Sequence, residues 1–600
     1  MDRFSCIVVG GGTAGCTTAY LVSKWMKDFN VPGHVLLIDR GVGFNPKEGP
    51  SSKMDVWYEN WCAYGEAHEA VDAADGKAYP VVPTDHRGLG GCSTHDTRIT
   101  FQMRQDQKER VALEMGWTAT QLDEYFQAAL NLMPLAPAIP HDAPVPFYTA
   151  VMESLTSPGA LNGSPLSRLD DDEHKSGIVV DSVAMSSLAM YTLEDGREVR
   201  WTPTYLLLDE VRPSNLHIVT NALVDRLKFN DTLTAAEGVV VQVGDETFMA
   251  SPESDGGGTI ALTLGALGTA ALLQRSGCGP GDHLDSLGIP VVINNPSIGH
   301  GIDHEEIAIV HEWLDRWNTA EGDVPKGGAH GWPLVLYSSF LPELARIYGD
   351  GAHLSGYYQA HFGAGYAEPY TESPSVVATP NCLRPLHTEQ GGYRLFIQST
   401  DPSTSFLLKQ GNHRKDLETI ALGAFSVSKI FNQLHRDGIV GKQLEPPFAI
   451  SEENKERLVA WIKENHYTVF HWACTCQAGR HGRVADERFR LRTRREVGEV
   501  ISNLFLGSAA ALPEVSENNP HLTISAFSVA LAEELTRSLA QTHGRDYGRM
   551  RLLETTRAAH EVKAAAGVTI RRAGEERPAM ISLARDYIDS WERENALPRR

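Results

Sequence analysis

The chain has 600 residues, of which 42% are hydrophobic and 22% charged, enough apolar material for a globular protein of more than one domain. Its formal net charge of −22 argues against a nucleic-acid partner, which needs a basic face, and against an anionic membrane surface. The eight cysteines lack the C-x-x-C spacing of a zinc site, so we expect no metal site and mostly reduced thiols, as in a cytoplasmic protein.

The first predicted elements are a strand at 4–10, a helix at 14–29 and a strand at 34–41. Gly10, Gly12 and Gly15 form G-x-G-x-x-G between the first strand and the helix. In this order the first glycine makes the turn, the second admits a pyrophosphate and the third packs helix on strand. Asp39 ends the second strand, where a carboxylate accepts ribose hydroxyls. The stretch therefore predicts a dinucleotide site, without distinguishing FAD from NAD.

The next strand-like runs lie at 216–229, 236–244 and 259–267. The most apolar segment, 258–274, is interrupted by Gly and Thr, which favours a buried strand, turn and helix over a membrane span. Residues 253–258 are predicted to form a hairpin loop. Because the N-terminus enters a strand without a basic region or cleavage site, we expect no signal peptide.

The later part of the chain separates into an aromatic region and a charged tail. Residues 320–465 are rich in Trp and Tyr, and residues 532–600 have a helical pattern of Ala, Leu, Arg and Glu. The tail fits a solvated helical face; the alternatives are a cover for the rest of the chain or a contact with a second copy. The aromatic candidates for a substrate pocket are Trp313, Trp317, Trp332, Tyr337, Tyr357 and Tyr358, although such residues more often form an ordinary core.

Five further stretches resemble, in order, the signatures of the glucose-methanol-choline (GMC) oxidoreductases, an FAD-dependent family. They are HRGLGGCSTHD at 86–96, GALGTAALLQRSGCG at 265–279, PSIGHGIDH at 296–304, HWACTCQAG at 471–479 and GSAAALPEVSENNPHLTI at 507–524. Two departures concern the site: Cys474 replaces a glycine of the family pattern and Ser508 replaces an aspartate. The resemblance extends from about residue 5 to about residue 535.

The resemblance implies a catalytic pair in front of the flavin, which falls on His471 and His521. Many members of the family have asparagine at the second position, whereas its sugar oxidases have histidine. The residues that the resemblance and the glycine turn together assign to the cofactor site are Gly10, Gly12, Thr13, Ala14, Gly15, Asp39, Arg40, Gly91, Cys92, His95, Asp96, Val224, Ser508, Ala509 and His521.

The implied reaction is oxidation of a CH–OH group of a small organic alcohol to an aldehyde or ketone. A neutral imidazole can accept the hydroxyl proton, and a second imidazole can fix and polarise the hydroxyl. Flavin N5 takes the hydride. We expect O₂ as acceptor, giving H₂O₂. The alternatives are an FAD-containing dehydrogenase with another acceptor, a lyase of the same fold with a non-redox flavin, and a flavin-binding module without catalysis.

His95 stands where most of the family has an aliphatic residue, but the choline oxidases of the family have GCSSHN and bond this histidine to the flavin. The resemblance therefore makes His95 a candidate for a covalent link to the 8α carbon of FAD. The alternative is a histidine that hydrogen-bonds Asp96 or the backbone. Asp96 replaces the asparagine of the pattern, which places a negative charge beside the flavin.

The expected fold is α/β, or α+β overall. A Rossmann-like FAD-binding domain, residues 1–160, 203–320 and 466–535, would be interleaved with a substrate-binding domain, residues 161–202 and 321–465. The second domain would be built on an antiparallel sheet with helices, and residues 536–600 would form a helical extension. The expected partners are the alcohol and O₂, with no nucleic acid and no membrane, and the oligomeric state stays open.

Overall fold

The structure is a computed structural model. It describes residues 4–43, 65–67, 69–72, 76, 84–138, 145–169, 181–192, 198–253, 257–318, 334–339, 357–365, 375–383, 392–402, 406–410, 414–493, 499–516 and 519–545.

The α-helices within these residues are α1 Thr13–Asp28, α2 Gln105–Glu114, α3 Ala119–Leu132, α4 Pro146–Thr156, α5 Gly265–Arg275, α6 Gly281–Ser286, α7 Arg414–Arg436, α8 Lys455–Asn465 and α9 His521–Thr542. Short 3-10 turns lie at Gly91–Thr94, Pro203–Leu207, Asp315–Trp317, Glu452–Asn454 and Ala509–Ala511.

The strands are β1 Cys6–Val9, β2 Val35–Ile38, β3 Gly65–Ala67, β4 Glu69–Asp72, β5 Thr84–His86, β6 Leu135–Pro137, β7 Ser167–Leu169, β8 Ser182–Met185, β9 Ser187–Thr192, β10 Glu198–Arg200, β11 Leu216–Val219, β12 Leu223–Phe229, β13 Ala236–Val243, β14 Glu246–Ala250, β15 Thr259–Leu262, β16 Cys278–Gly279, β17 Ile293–Asn294, β18 His300–Gly301, β19 His304–Glu306, β20 Ile309–Glu312, β21 Leu334–Ser339, β22 Tyr357–Gly365, β23 Ser375–Leu383, β24 Tyr393–Ile397, β25 Phe406–Gln410, β26 Gln443–Glu445, β27 Tyr467–Thr468, β28 Arg490–Arg492 and β29 Val500–Leu506.

A mostly parallel sheet with the order β11-β2-β1-β15-β29-β28 organises the first half of the fold. Strands β1, β2 and β15 are buried along their whole length, as in a sheet covered on both faces. Helix α1 connects β1 to β2, and it packs against α9 from the far end of the chain. This arrangement confirms the predicted Rossmann-like start, and the predicted strand, turn and helix at 258–274 is found as β15 and α5.

A second sheet, with the order β26-β20-β23-β22-β21-β8-β7, is antiparallel except for the β7–β8 pair. Helix α7 lies against β23, and the apolar side chains between them form a second buried cluster that includes Ile309, Phe362 and Phe431. Helix α4 and Trp313 belong to this cluster as well, although both lie in segments that the sequence analysis gave to the FAD-binding domain. The expected antiparallel sheet with helices is therefore present.

Two expectations about the chain path are affected by the structure. The prediction of a hairpin at 253–258 is wrong, because β14 pairs with β13 whereas β15 pairs with β1 and β29 in the parallel sheet. The expected start of the C-terminal extension at residue 536 falls inside α9, which continues to Thr542. The rest of the region 532–600 with a predicted helical pattern, from residue 546 on, lies outside the described residues.

Two further observations concern possible membrane-spanning helices and the positions of the aromatic candidates. None of the helices in the described ranges has the length and apolar character needed to cross a bilayer. Trp313 and Trp317 pack in or against the second cluster. The side chains of the other aromatic candidates, Trp332, Tyr337, Tyr357 and Tyr358, lie outside the described residues.

Candidate active site

The glycine turn after β1 has the tight geometry that its sequence predicts. Gly10 has a φ of +99°, and a Cβ on Gly15 would lie 1.7 Å from the Gly10 carbonyl oxygen. Gly12 is the N-cap of α1. The space beside Gly12 is open, because a Cβ added to it would meet only the Gly91 Cα, at 3.8 Å. No side chain caps the N–H groups of the first turn of α1, which contains Thr13 and Ala14. A helix N-terminus with uncapped N–H groups beside open space fits a pyrophosphate.

Asp39 lies directly behind this turn. Its Oδ2 accepts a hydrogen bond from Gly11 N at 2.7 Å, and its Oδ1 accepts one from Gly41 N at 2.8 Å. A carboxylate has about four acceptor positions, more than these two backbone N–H groups use. The Asp39 carbonyl accepts from Ala222 N at 2.9 Å, which brings the start of β12 with the buried Val224 to the same place. The half-buried Arg40 follows and lies near His86.

The loop at 88–96 lies on the glycine turn. Gly90 N donates to Gly11 O at 2.8 Å, and a Cβ on Gly91 would lie 2.7 Å from the Gly12 Cα. Gly91 has a φ of +55° and begins the 3-10 turn that ends at Thr94, with the Cys92 side chain exposed. Two glycine backbones in contact therefore hold the predicted flavin loop against the predicted phosphate loop.

His95 caps the C-terminal end of this 3-10 turn. Its backbone N–H donates to Cys92 O at 3.0 Å, and its ring lies 5.1 Å from that of His86. The Nε2 atom is buried, and no residue that the structure describes hydrogen-bonds it. Burial lowers the pKa of His95 to about 4, with Arg200 lowering it further and Asp96 opposing. The ring is therefore neutral at pH 7, with an unoccupied nitrogen in a glycine-rich loop.

Asp96 links this loop to α9. Its Oδ1 accepts from Arg200 Nη1 at 2.6 Å, and its Oδ2 lies 2.8 Å from His521 Nδ1. Burial raises the pKa of Asp96, but His521, Arg200 and His95 outweigh burial, so that this pKa is below its ordinary value. Asp96 is therefore an ionised carboxylate between two buried partners. The described contacts include no hydrogen bond between the His95 ring and Asp96, whereas the other form of the alternative, a bond from the ring to the backbone, agrees with the backbone hydrogen bond that acts to raise the pKa of His95.

His521 is the first residue of α9 and is 7% exposed. Its ring lies 5.7 Å from that of Trp201, the residue after Arg200. Both of its ring nitrogens are buried, and neither makes a hydrogen bond of good geometry with the described residues, so the 2.8 Å approach of Nδ1 to Asp96 is a charge contact. The end of β10 thus contacts both members of the Asp96–His521 pair.

His471 has its own partner. Its Nδ1 lies 2.9 Å from Nδ1 of His304, with the two rings nearly perpendicular. Its backbone N–H donates to Asp303 Oδ1 at 2.9 Å, and the other oxygen of Asp303 accepts from the Thr468 hydroxyl. In this hydrogen bond one Nδ1 carries the hydrogen and the other accepts it, so the tautomers of His304 and His471 are coupled.

The chain after His471 pairs with the segment before α9. Cys474 N donates to Ala509 O at 2.9 Å, and Cys476 N donates to Ala510 O at 2.8 Å. Cys474 and Ser508 have φ values of +64° and +61°, a region that normally favours glycine. This conformation explains why the family pattern has glycine at 474, and it places Ser508 and Ala509 beside the His471 segment.

The structure therefore forms two groups: His95, Asp96 and His521 on one side, and His471 with His304 on the other. Sequence reasoning missed Arg200 and Trp201, which lie in no recognisable motif. It quoted His304 and Asp303 within a motif without giving them a role. The signal for His304 was its place at the end of that motif, whereas nothing in the sequence pointed to Arg200.

A cavity of about 240 Å³ between α3 and α9 contains none of the predicted site residues. Its buried Glu533 accepts from the Tyr125 hydroxyl at 2.7 Å and from Arg537 at 2.6 Å. Arg537 also donates to Glu534 at 2.8 Å, and Arg488 donates to Glu534 at 2.6 Å, which gives two carboxylates and two guanidinium groups. Because these charges neutralise one another, the cavity is explained by packing and ion pairing, and the site is better sought at the histidines.

Comparisons with known proteins bear on the same residues. Two family models described as GMC oxidoreductase match residues 4–305 and 394–528. A relative named oxygen-dependent choline dehydrogenase, from Burkholderia multivorans, is 25% identical over 532 residues, which are 80% of this chain and 84% of the relative. A second relative with this name, from Burkholderia thailandensis, is 25% identical and covers 89% of this chain and 93% of its own length.

Solved structures share the fold. A formate oxidase superposes with a TM-score of 0.74 at 17% identity, covering 90% of this chain and 100% of its own. A pyridoxine 4-oxidase from Mesorbium loti superposes with a TM-score of 0.70 at 21% identity, covering 91% of this chain and 100% of its own. At these identities the likeness concerns the fold alone.

Proposed function

This chain belongs to the GMC oxidoreductase family and is an FAD-dependent oxidoreductase of the alcohol-oxidising type; we propose that His471 and His521 handle the hydroxyl proton of a small organic alcohol in that reaction. When bound, the flavin takes the hydride from the alcohol carbon. The residues of the chain bind and orient the alcohol and move its proton.

The observation that carries the proposal is that each motif histidine has one ring nitrogen close to a polar side chain. His471 Nδ1 lies 2.9 Å from His304, and His521 Nδ1 lies 2.8 Å from Asp96. An imidazole held close to a partner at one nitrogen can use the other for the proton transfer of general acid–base catalysis. One ring accepts the hydroxyl proton while the other holds the oxygen.

For the cofactor, we assign the pyrophosphate to the start of α1 and to Gly12, and the ribose to Asp39. Arg40, Val224 and the loop with Gly91 and Cys92 complete this side, and Ser508 and Ala509 complete the side next to the His471 segment. The open space at Gly12 and the uncapped N-terminus of α1 support this assignment.

We assign a covalent FAD link to Nε2 of His95. Its unpartnered buried nitrogen and its neutral form at pH 7 support this assignment. Acid precipitation of the purified protein tests it. The yellow colour should stay with the precipitate, and His95→Ala should release it into the supernatant. Colour in the wild-type supernatant would overturn the link while leaving the oxidation proposal intact.

We propose O₂ as the electron acceptor, which would give H₂O₂. The names of the relatives, oxygen-dependent choline dehydrogenase and two oxidases, support this choice. Their names differ in substrate, so we propose only the class of small organic alcohols. Consumption of O₂ with equimolar H₂O₂ would support an oxidase. Turnover only with an added dye would identify a dehydrogenase.

The division into two functional parts is also a proposal. We assign the parallel sheet with α1, α5 and α9 to FAD, and the antiparallel sheet with α7 to the alcohol. The second buried cluster includes Phe147 and Ile309, so we place α4 and β20 with the alcohol-binding part. Residues 536–545 stay with α9 in the FAD-binding part.

Screening an alcohol library under anaerobic conditions tests the function directly. A substrate should bleach the flavin absorbance in one turnover, and His471→Ala should retain FAD and lose this bleaching. An unchanged flavin spectrum during product formation would identify a lyase instead. Wild-type protein that retains FAD and turns over no alcohol would leave only a flavin-binding module.

A further inference from the structure

Trp201, the residue after β10, lies beside the predicted flavin loop. The residue before it, Arg200, donates from Nη1 to Ser93 O of that loop at 3.2 Å. Three residues after Trp201, the methyl group of Thr204 lies 3.4 Å from the position of a Cβ on Gly90. The short segment that carries Trp201 is therefore in contact with the loop on both sides of the indole.

The indole ring of Trp201 lies against the start of α9. Its centroid is 5.7 Å from that of the His521 ring, and the two planes are tilted by 37°. Trp201 is 1% exposed and His521 is 7% exposed. Trp201 also belongs to the buried apolar cluster around the parallel sheet, so its N–H group is kept from solvent.

Several polar atoms around this place are buried without a hydrogen-bond partner among the described residues. They are four atoms: Trp201 Nε1, both ring nitrogens of His521 and His95 Nε2. His95 belongs to the same group, because its ring is close enough to Arg200 for the guanidinium to lower its pKa. A buried polar atom without a partner is costly. Single atoms of this kind occur elsewhere in the described chain, but here three separate segments bring them together, which indicates a polar occupant.

The isoalloxazine ring system of FAD has the chemistry that matches the indole. Its pyrimidine and central rings carry nitrogen and oxygen acceptors, whereas its dimethylbenzene ring carries none. An indole offers one N–H donor and no acceptor. The partner of the Trp201 N–H group is therefore to be sought on the pyrimidine or central ring.

We propose that Trp201 binds the flavin, with its Nε1–H group donating a hydrogen bond to an acceptor of the pyrimidine or central ring. This inference rests on the FAD site proposed above and does not depend on the identity of the alcohol. Two-electron reduction puts negative charge on the acceptors of these rings, and a hydrogen bond to a charged acceptor is stronger than one to a neutral acceptor. The Trp201 donor therefore stabilises the reduced flavin relative to the oxidised flavin.

The redox equilibrium of the bound flavin tests this role without any alcohol. The full-length, FAD-loaded protein is titrated anaerobically with a reductant at pH 8 in the presence of a two-electron reference dye. Trp201→Phe keeps a ring at this position and removes the donor. We expect the equilibrium to shift toward oxidised flavin by about fivefold to tenfold. A shift of less than about twofold, with FAD retained, would overturn the proposal.

A second variant separates the donor from the shape of the side chain. Site-specific replacement of Trp201 by β-(3-benzothienyl)alanine retains a bicyclic ring of nearly the same shape and puts sulfur in place of the N–H group. The same redox shift should appear. An unchanged redox equilibrium would overturn the proposal even if Trp201→Phe does not fold. A change confined to the affinity for the alcohol would assign the donor to the substrate and would also overturn it.

Trp25→Phe is the matched control. Trp25 is also 1% exposed, and its Nε1 likewise has no hydrogen-bond partner among the described residues. It lies in α1, about 18 Å along the helix from Thr13 at the glycine turn. The redox equilibrium of this variant should stay within about twofold of the wild type.

An equal redox shift in Trp25→Phe and Trp201→Phe would show a general effect of losing a buried indole and would overturn the proposal. The outcome for the alcohol is separate. If no alcohol reduces the wild-type flavin, the proposed alcohol oxidation fails, whereas the redox titration still decides the role of Trp201.

Discussion

Glu306, at the end of β19, gives the stability of this protein a defined dependence on pH. It is 7% exposed, and its pKa is raised from 4.5 to about 8, first by burial and also by Asp303, against hydrogen bonds from Thr379 and Tyr467. Between these two pH values the native protein therefore holds a proton that the unfolded chain has released. Raising the pH through this window favours the unfolded state.

The size of the effect follows from the width of the window. One pH unit corresponds to about 1.4 kcal/mol, so the interval from 4.5 to about 8 corresponds to about 5 kcal/mol. Glu306→Gln has nearly the same shape and stays neutral. We expect the variant to gain stability over the wild type as pH rises, by about 3 to 5 kcal/mol between pH 5 and pH 8.5, and no further gain above that.

Urea unfolding, followed by tryptophan fluorescence at pH 5, 6, 7 and 8.5, measures this difference. Glu312→Gln is the control, because Glu312 lies in the neighbouring strand β20 with an exposed side chain. The comparison separates the loss of a buried carboxylate from the loss of an exposed one. A difference between Glu306→Gln and the wild type that is the same at every pH would refute the reasoning.

Four other substitutions provide three further tests of the structure. Gly15→Ala should give a poorly folded, colourless protein because its Cβ would lie 1.7 Å from a carbonyl oxygen of the turn, whereas Gly12→Ala should fold, by circular dichroism, and retain less FAD; equal FAD content in the two would contradict this. Cys92→Ser should remove one fast-reacting thiol in a titration with a disulfide reagent, because Cys92 is exposed; an unchanged fast phase would show otherwise. Tyr125→Phe removes the 2.7 Å bond to the buried Glu533 and should cost about 1 to 3 kcal/mol in urea unfolding, and an unchanged midpoint would count against it.

The parts of the fold that the sequence predicts well are those set by local rules. The turn at Gly10, Gly12 and Gly15 follows from backbone sterics, and the run at 259–275 follows from its apolar pattern. The hairpin at 253–258 failed because loop residues indicate a turn but not the partner of the next strand. Strand β15 pairs with β1, about 250 residues earlier in the chain, and only the completed sheet determines that choice.

The candidate site shows the same limit more sharply. His471 and His521 were found because they stand in motifs, and Asp96 because it departs from one. The partner that gives Asp96 its direction, Arg200, lies 104 positions away in a strand with no motif. Asp96 and Arg200 meet only when folding brings their two segments together, so this contact could not be predicted from the sequence.

The contact between α1 and α9 has a consequence for how the protein is made. Helix α1, with Ala19 and Leu21 fully buried, is synthesised first, yet the helix that covers it ends at Thr542. During translation the apolar surface of α1 stays without its native packing partner, α9, until more than 500 further residues have been synthesised. The nascent chain should therefore depend on chaperones until late in translation, and a stop codon before His521 should yield aggregates rather than a smaller enzyme.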